Sequence, residues 1–157
     1  LKDGGVGVMP TDTIYGLVGQ ALNPETVARI RQLKQRRSNK PFIILISDWA
    51  DLKKFNFKPT PAMRKIINRI WPWPVNIIFT KTLACRLPAS PSLRKLLKQT
   101  GPLIATSVNL AGHPPAKTIS EAKNISENRL IFISLASRRV ANHQHWSRLK
   151  TVKLLRF

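Results

Sequence analysis

The sequence predicts an α/β fold in which helices flank one twisted sheet of mixed parallel and antiparallel strands. Short apolar runs of strand type alternate along the chain with amphipathic segments of helix type. The connections between these runs vary, because some leave room only for a hairpin and others leave room for a helical crossover. The length of 157 residues fits one domain, which we place at residues 1–157.

The first half of the chain begins with a predicted strand over residues 6–9. Asn23 then supplies a helix N-cap, followed by a proline and an acid in the first turn, and the predicted helix runs to about Lys34. Apolar residues recur every third position of this helix and predict its buried face: Val27, Ile30 and Leu33. The continuous apolar run of residues 42–46 predicts an interior strand.

The second half repeats the alternation of helix and strand. A helix begins at Pro61 and ends at the Trp-Pro-Trp-Pro stretch of residues 71–74, and another begins at Pro91 and ends at Gly101. Predicted strands cover residues 75–79, 103–105 and 130–133. Thr118 and Glu121 have the spacing of a capping box and predict a short helix.

The charge of the chain is strongly one-sided, with 27 Lys and Arg against 7 Asp and Glu, a net +20. Such a surface attracts polyanions such as nucleotides and RNA. No apolar run approaches the ~18 residues that a membrane span needs, so no membrane partner is expected. With Cys85 as its single cysteine the chain forms no internal disulfide, and we expect a reducing, cytoplasmic location.

Hydroxyl groups and cations mark the candidate binding residues. Thr11 and Thr13 lie between Pro10 and Gly16 and could face a ligand, or they could satisfy backbone groups in a hairpin turn. A second group is basic and stands at the end of the first helix: Lys34, Arg36 and Lys40. These cations could bind an anion, or they could form a solvated helix end that suits the helix dipole.

A third group follows the strand at residues 103–105. Ser107 and Asn109 alternate with Val108, so both polar side chains are predicted on one side at the edge of the sheet, unless they form an Asx turn. The sequence contains no Ser-His-Asp or Cys-His arrangement and no Walker loop. His143 and His145 could hold a metal ion only weakly and are otherwise expected to be surface residues.

Five motifs in order give a resemblance to a known family. They are Pro-Thr-Asp-Thr-Ile-Tyr-Gly-Leu at residues 10–17, Lys-Gln-Arg at 34–36 with Lys-Pro at 40–41, Trp-Pro-Trp-Pro-Val at 71–75, Cys-Arg-Leu-Pro at 85–88, and Thr-Ser-Val-Asn-Leu-Ala-Gly at 106–112. The sequence resembles the YrdC/TsaC-type threonylcarbamoyl-AMP synthases over roughly residues 3 to 125.

The resemblance implies a reaction. L-threonine, bicarbonate and ATP, the last with Mg²⁺, give threonylcarbamoyl-AMP and pyrophosphate, and the product serves threonylcarbamoyladenosine formation in tRNA with other proteins of that modification. Lys34 and Arg36 are implied as the catalytic pair. The remaining implied substrate- and nucleotide-binding residues are Thr11, Thr13, Tyr15, Lys40, Arg86, Thr106, Ser107, Asn109 and Ser147. Tyr15 could instead be a packed wall residue. Arg86 could instead be a charge at a strand end that reaches solvent.

The chain departs from the family pattern at several points. Trp73 replaces a glycine, Asn76 a threonine and Val108 an alanine, and the tail around Ser147 matches only loosely. Near residues 80–83 relatives carry a longer connection, so we expect that a loop is missing there, and the N-terminus is expected to be trimmed.

A second hypothesis from a different class is a non-catalytic module of the same fold that binds double-stranded RNA or tRNA. The charge favours it, because phosphate contacts alone give RNA affinity. The sequence offers this module no aromatic stacking motif. Pyrophosphate release that requires both threonine and bicarbonate separates the two hypotheses.

Overall fold

The computed structural model describes residues 1, 4–11, 15–35, 41–73, 75–109, 114–116, 118, 120–122, 131–132 and 151–153, the last two segments by their backbone. Its strands are β1 Gly7–Pro10, β2 Tyr15–Gln20, β3 Ile43–Leu45, β4 Asn76–Ile78, β5 Ala84–Arg86, β6 Leu103–Ser107, β7 Ile131–Phe132 and β8 Thr151–Lys153. Its helices are α1 Pro24–Leu33, α2 Pro61–Ile70 and α3 Pro91–Thr100, with a 3₁₀ helix at Trp49–Phe55.

Within this part of the chain, eight strands form one sheet in the order β7-β1-β2-β6-β3-β5-β4-β8. Strand β6 lies in the interior and pairs antiparallel with both β2 and β3. The pairs β1–β7, β3–β5 and β4–β8 are parallel, and β1–β2 and β4–β5 are antiparallel. The predicted mixed sheet with flanking helices is confirmed.

The helices begin where the sequence supplies N-caps. Side-chain oxygens of Asn23, Thr60 and Ser90 accept hydrogen bonds from the backbone N–H groups at the third helical positions of α1, α2 and α3, respectively. A proline follows each cap, where its missing N–H costs nothing. These local interactions explain why the predicted starting points of the helices are correct.

The sheet is covered by apolar side chains on both faces. On one face, α1 packs through Ile30 against β1, β2 and β6, while α2 packs through Met63 and Ile67 against β3, β4 and β5. On the other face, α3 packs through Leu93 and Leu97 against Met9, Val18, Leu45 and Leu103. The buried interior on the α1 and α2 side therefore reaches from β1 to β4, whereas α3 covers the side chains of β1, β2, β6 and β3 on the other side.

Two expectations differ from the structure, and a third is confirmed. The segment after residue 14 belongs to a strand, β2, that the sequence analysis did not predict. Leu33, predicted on the buried face of α1, is 37% exposed, because it is the last residue of the helix, where the helix extends beyond its apolar contacts. The short helix after Thr118 is present at residues 120–122, where Thr118 Oγ1 accepts from Glu121 N–H at 3.1 Å.

The junction at residues 79–83 closes as a tight hairpin. The N–H groups of Phe79 and Thr80 both donate to Leu83 O, at 2.9 and 3.2 Å, and Thr80 Oγ1 accepts from Leu83 N–H at 3.0 Å. An intact mass that exceeds the 17.8 kDa of this sequence by more than its termini explain stays the prediction that distinguishes a missing loop from a short one. In the described part of the chain, no helix is long and apolar enough to cross a bilayer.

Candidate active site

Three strand ends meet at one edge of the sheet. Gly16 in β2 pairs with both Met9 in β1 and Ser107 in β6, so the end of β1, the beginning of β2 and the end of β6 lie side by side. Thr11 leaves β1 at this edge, and a Cβ added to Gly16 would lie 2.8 Å from Thr11 Cγ2. Glycine at this position therefore lets the Thr11 side chain lie flat against β2.

A second glycine brings α1 close to the sheet. A Cβ on Gly19 would overlap the methyl group of Thr26 and lie 2.9 Å from Cδ1 of Ile30, both on the inner face of α1. Thr26 Oγ1 also donates to Gly4 O at 3.0 Å, which ties the start of the helix to the chain that precedes β1. These contacts hold the first half of α1 against β2 and so direct its last turn.

Lys34, the C-cap residue of α1, extends from that last turn to the end of β6. Its Nζ donates to Ser107 O and Asn109 O, each at 2.9 Å, and also to Asn109 Oδ1. Three oxygens thus match the three N–H donors of the ammonium group. A cation at this helix end is also favoured by the helix dipole.

The segment after β6 is held from its other side as well. Val108 N–H donates to Tyr15 O at 3.2 Å, and Val108 O accepts from Ala116 N–H at 2.8 Å, while the Val108 side chain is buried. Ser107 Oγ donates to Asn109 Oδ1 at 2.6 Å, which confirms that these two side chains lie on one side. We call Lys34, Ser107 and Asn109 the lysine–loop cluster.

Tyr15 and Thr106 lie beside this cluster. Tyr15 is partly buried and packs against the core cluster that contains Leu17 and Val108, so the prediction of a packed wall residue agrees with its position. Thr106 pairs with Leu17 in the adjacent strand and is also partly buried. Both residues adjoin the cluster, because Tyr15 O accepts from Val108 N–H and Thr106 directly precedes Ser107 in β6.

Arg86 is not brought to the lysine–loop cluster. It pairs with Leu45, which pairs with Leu103 at the opposite end of β6 from Ser107. Its side chain is buried, with 6% of its surface exposed, and Nε donates to Asn76 Oδ1 at 2.8 Å. The expectation of a charge reaching solvent is therefore wrong, because the cross-strand partner Asn76 keeps the guanidinium inside the sheet.

Four of the predicted binding residues lie outside the described residues: Thr13, Arg36, Lys40 and Ser147. His143 and His145 lie outside them too. Within the described ranges, no three His, Cys, Asp or Glu side chains are grouped as a metal site would require.

A groove of about 400 Å³, which the sequence analysis missed, opens beside the last turn of α1. Its floor is apolar and includes Phe42, Ile44 and Leu83, while Arg31 and Lys81 contribute positive charge at its wall. The Arg31 guanidinium lies 5.6 Å from the centre of the Phe42 ring. This volume lies in the range of small-molecule sites, and the mixture of aromatic floor and cationic wall suits a nucleotide.

Cys85 has no reactive character. It is fully buried with Ile44 and Ile77, and burial, with a smaller effect of the nearby Asp51 carboxylate, raises the pKa of its thiol to about 12. A thiol in this state is neutral at neutral pH and is a poor nucleophile. The described residues therefore offer cations, hydroxyls and amides for binding, and their cysteine is structural.

The sequence matches one known protein family over most of its length. The family model named Sua5/YciO/YrdC, described as "Telomere recombination", matches residues 1–144. The chain belongs to the Sua5/YciO/YrdC family. The predicted family resemblance is thereby confirmed.

Curated relatives and solved structures of this family agree with the assignment. The chain is 30% identical over 145 residues to the threonylcarbamoyl-AMP synthase of Coxiella burnetii, covering 83% of the chain and 77% of the relative. It is 27% identical over 137 residues to a Mycobacterium tuberculosis relative, covering 79% of the chain but 63% of that protein's length.

Two structural neighbours bear on the fold of the site. P. abyssi Sua5 complexed with L-threonine matches with a TM-score of 0.75 and 25% identity, covering 85% of the chain and 43% of that protein. E. coli YciO matches with a TM-score of 0.70 and 26% identity, covering 84% of the chain and 71% of that protein. The Sua5/YciO/YrdC sheet is thus present, while the chain spans under half of the longer Sua5 protein.

Proposed function

We propose that the chain catalyses ATP-dependent formation of threonylcarbamoyl-AMP from L-threonine and bicarbonate, with release of pyrophosphate. The observation that carries the proposal is the lysine–loop cluster, in which Lys34 donates to Ser107 O and Asn109 O at 2.9 Å. Two motifs 73 residues apart in sequence meet there, at the sheet edge where Thr11 also lies. The names of the curated relatives support the same activity.

Threonine is proposed to bind at this edge. The P. abyssi relative is a complex with L-threonine, and the edge combines a cation, hydroxyls and an amide that suit a zwitterionic amino acid with a hydroxyl side chain. Lys34 uses its donors to hold the Ser107–Asn109 segment, so its first role is to position that segment and to supply positive charge. Arg36, two residues later, is the proposed partner for carboxylate and phosphate oxygens.

ATP is proposed to bind in the groove beside α1. The base would lie on the apolar floor at Phe42, and Arg31 and Lys81 would face the phosphates. Mg²⁺ is proposed to enter with ATP, because this ion commonly reaches nucleotide sites together with the substrate phosphates. This ion neutralises phosphate charge when it is bound.

The chemistry requires alignment more than covalent participation by the protein. Threonine nitrogen and bicarbonate form a carbamate with loss of water; a carbamate oxygen then bonds to the α-phosphorus of ATP as the bond to pyrophosphate breaks. A preorganised set of cations and N–H donors lowers the barrier to such a step, because it opposes the developing charge without reorganising. The neutral, buried Cys85 is consistent with a reaction that uses no protein nucleophile. The product would be passed to other proteins for tRNA modification.

The test measures pyrophosphate release from ATP with each substrate omitted in turn. We expect release only when threonine and bicarbonate are both present, and equal release without either of them would refute the proposal. Lys81→Met should raise the KM for ATP several-fold while leaving the KM for threonine unchanged, because Lys81 lines the groove in which ATP is proposed to bind. Lys53→Met, which removes an exposed cation from the 3₁₀ helix, is the matched control.

A further inference from the structure

The outer surface beyond α2 carries a large exposed aromatic side chain. Trp73 is 67% exposed, the largest exposed fraction among the large hydrophobic residues of the described chain. Trp71, two residues earlier, is buried; its Nε1 donates to Val75 O at 3.0 Å and its ring packs edge-on against Phe79 at 6.0 Å. Trp71 therefore stabilises this turn through its hydrogen bond and its packing, and the fold does not need a tryptophan at residue 73.

The surroundings of Trp73 are cationic. Helix α2 and the turn after it, residues 61–73, contain Arg64, Lys65 and Arg69 and no acid. All three cations are exposed, and Ile66 on the same outer side is 39% exposed. The outer face of α2 therefore presents cations that lead to a flat, accessible indole ring.

Charge alone does not select a binding face on this molecule. Helix α3, on the opposite face of the sheet, also carries Arg94, Lys95 and Lys98 without an acid. A polyanion attracted only by the field has no reason to prefer α2 over α3. Trp73 breaks this symmetry, because an exposed indole stacks on an unpaired base, and no aromatic residue occurs in α3.

We propose that the outer face of α2, together with Trp73, binds single-stranded RNA. The backbone phosphates would lie along Lys65 and Arg69, and one unpaired base would stack on Trp73. This combination of a cationic track and an aromatic platform is how proteins bind single strands without reading their sequence. The family motif that this segment resembles has a glycine where this chain has Trp73, so the platform is a feature of this sequence rather than of the synthase reaction.

The test is a titration with a labelled single-stranded oligoadenylate of about twelve nucleotides, a length within the range of known single-strand sites. Trp73→Ala should weaken binding about five- to a hundredfold, and Trp73→Phe should keep part of the affinity. Because the side chain is largely exposed, its removal leaves no cavity, and an unchanged melting temperature establishes that the variant is folded. Equal affinities of Trp73→Ala and the unaltered protein would overturn the proposal.

A pair of charge variants separates the proposed face from the general field. Lys65→Ala should weaken binding about two- to fivefold and reduce the slope against salt by about one, whereas Lys95→Ala on α3 should change both much less. Equal effects of the two variants would overturn the assignment of the face. An RNA duplex of the same length should bind more weakly, since its bases are already stacked; equal or tighter duplex binding, or equal competition by polyglutamate, would refute the stacking proposal.

Discussion

Replacement of Lys34 by methionine removes the ammonium group that joins α1 to the end of β6 while keeping most of the side-chain volume. Nζ gives up its hydrogen bonds to Ser107 O, Asn109 O and Asn109 Oδ1. Hydrogen bonds to charged groups contribute about 1.5–3 kcal/mol each, but these three share one partly buried ammonium group that solvent partly screens. We therefore expect the free energy of unfolding to fall by about 2–3 kcal/mol in total rather than by three separate contributions.

The same change should affect the proposed reaction more than it affects stability. Once the Ser107–Asn109 segment is no longer held by α1, threonine- and bicarbonate-dependent pyrophosphate release should fall by about ten- to several-hundredfold. Lys34→Arg should also be impaired, because a planar guanidinium cannot direct three N–H bonds from one nitrogen.

Denaturant titration and the pyrophosphate assay measure the two effects separately. Lys53→Met removes an equal charge from an exposed position and should change neither quantity appreciably. If Lys34→Met matched Lys53→Met in both unfolding free energy and rate, the reasoning that the lysine–loop cluster organises the site would be refuted.

Four further predictions use other parts of the chain. Gly19→Ala should destabilise the protein by about 1–3 kcal/mol and lower activity, because the new methyl group displaces α1 at Thr26; wild-type thermal stability would contradict the packing argument. The thiol of Cys85 should resist a thiol reagent at neutral pH until the protein is unfolded, and Cys85→Ala should keep turnover within a few-fold, since the thiol is buried with a pKa of about 12. Burial opposes ionisation of Asp51, but its hydrogen bonds from Lys54 and Ser47 lower its pKa overall, so its stabilisation is full above about pH 4 and is lost as the pH falls further; the difference in unfolding free energy between Asp51→Asn and the wild type should shrink from about pH 6 to about pH 3. Arg36→Ala should lower pyrophosphate release about ten- to several-hundredfold and Arg36→Lys should also be impaired, whereas activities equal to that of Lys53→Ala would remove the anion-binding role.

Features that depend on neighbours in sequence were predictable. The caps at Asn23 and Thr60 and the helix end at Gly101 follow from local chemistry, and the structure has each of them. Strand β2 was missed because Gly16 and Gly19 interrupt its apolar pattern, and their purpose becomes visible only when Thr11 and α1 lie against them.

The site was predictable in composition but not in contacts. The family resemblance predicted that Lys34 and Ser107 belong to one site. It could not predict that the lysine donates to backbone oxygens, because the two residues are far apart in sequence. Arg86 was misjudged because its partner, Asn76, belongs to the neighbouring strand of a hairpin whose register the sequence did not reveal. The exposure of Trp73 beside a buried Trp71 could not be predicted either, because the two residues are of the same type and only the packing around them differs.

The interior position of β6 has a consequence for biogenesis. During synthesis β2 and β3 emerge well before β6, and until β6 inserts between them each has an unpaired edge that can recruit another chain. Closing the sheet requires contacts between distant segments, which slows folding. Ser107 belongs to β6 and Asn109 directly follows it, so both residues reach the site only when β6 pairs with β2 and β3. The nascent protein therefore forms its substrate-binding edge in the same step that removes the two unpaired strand edges.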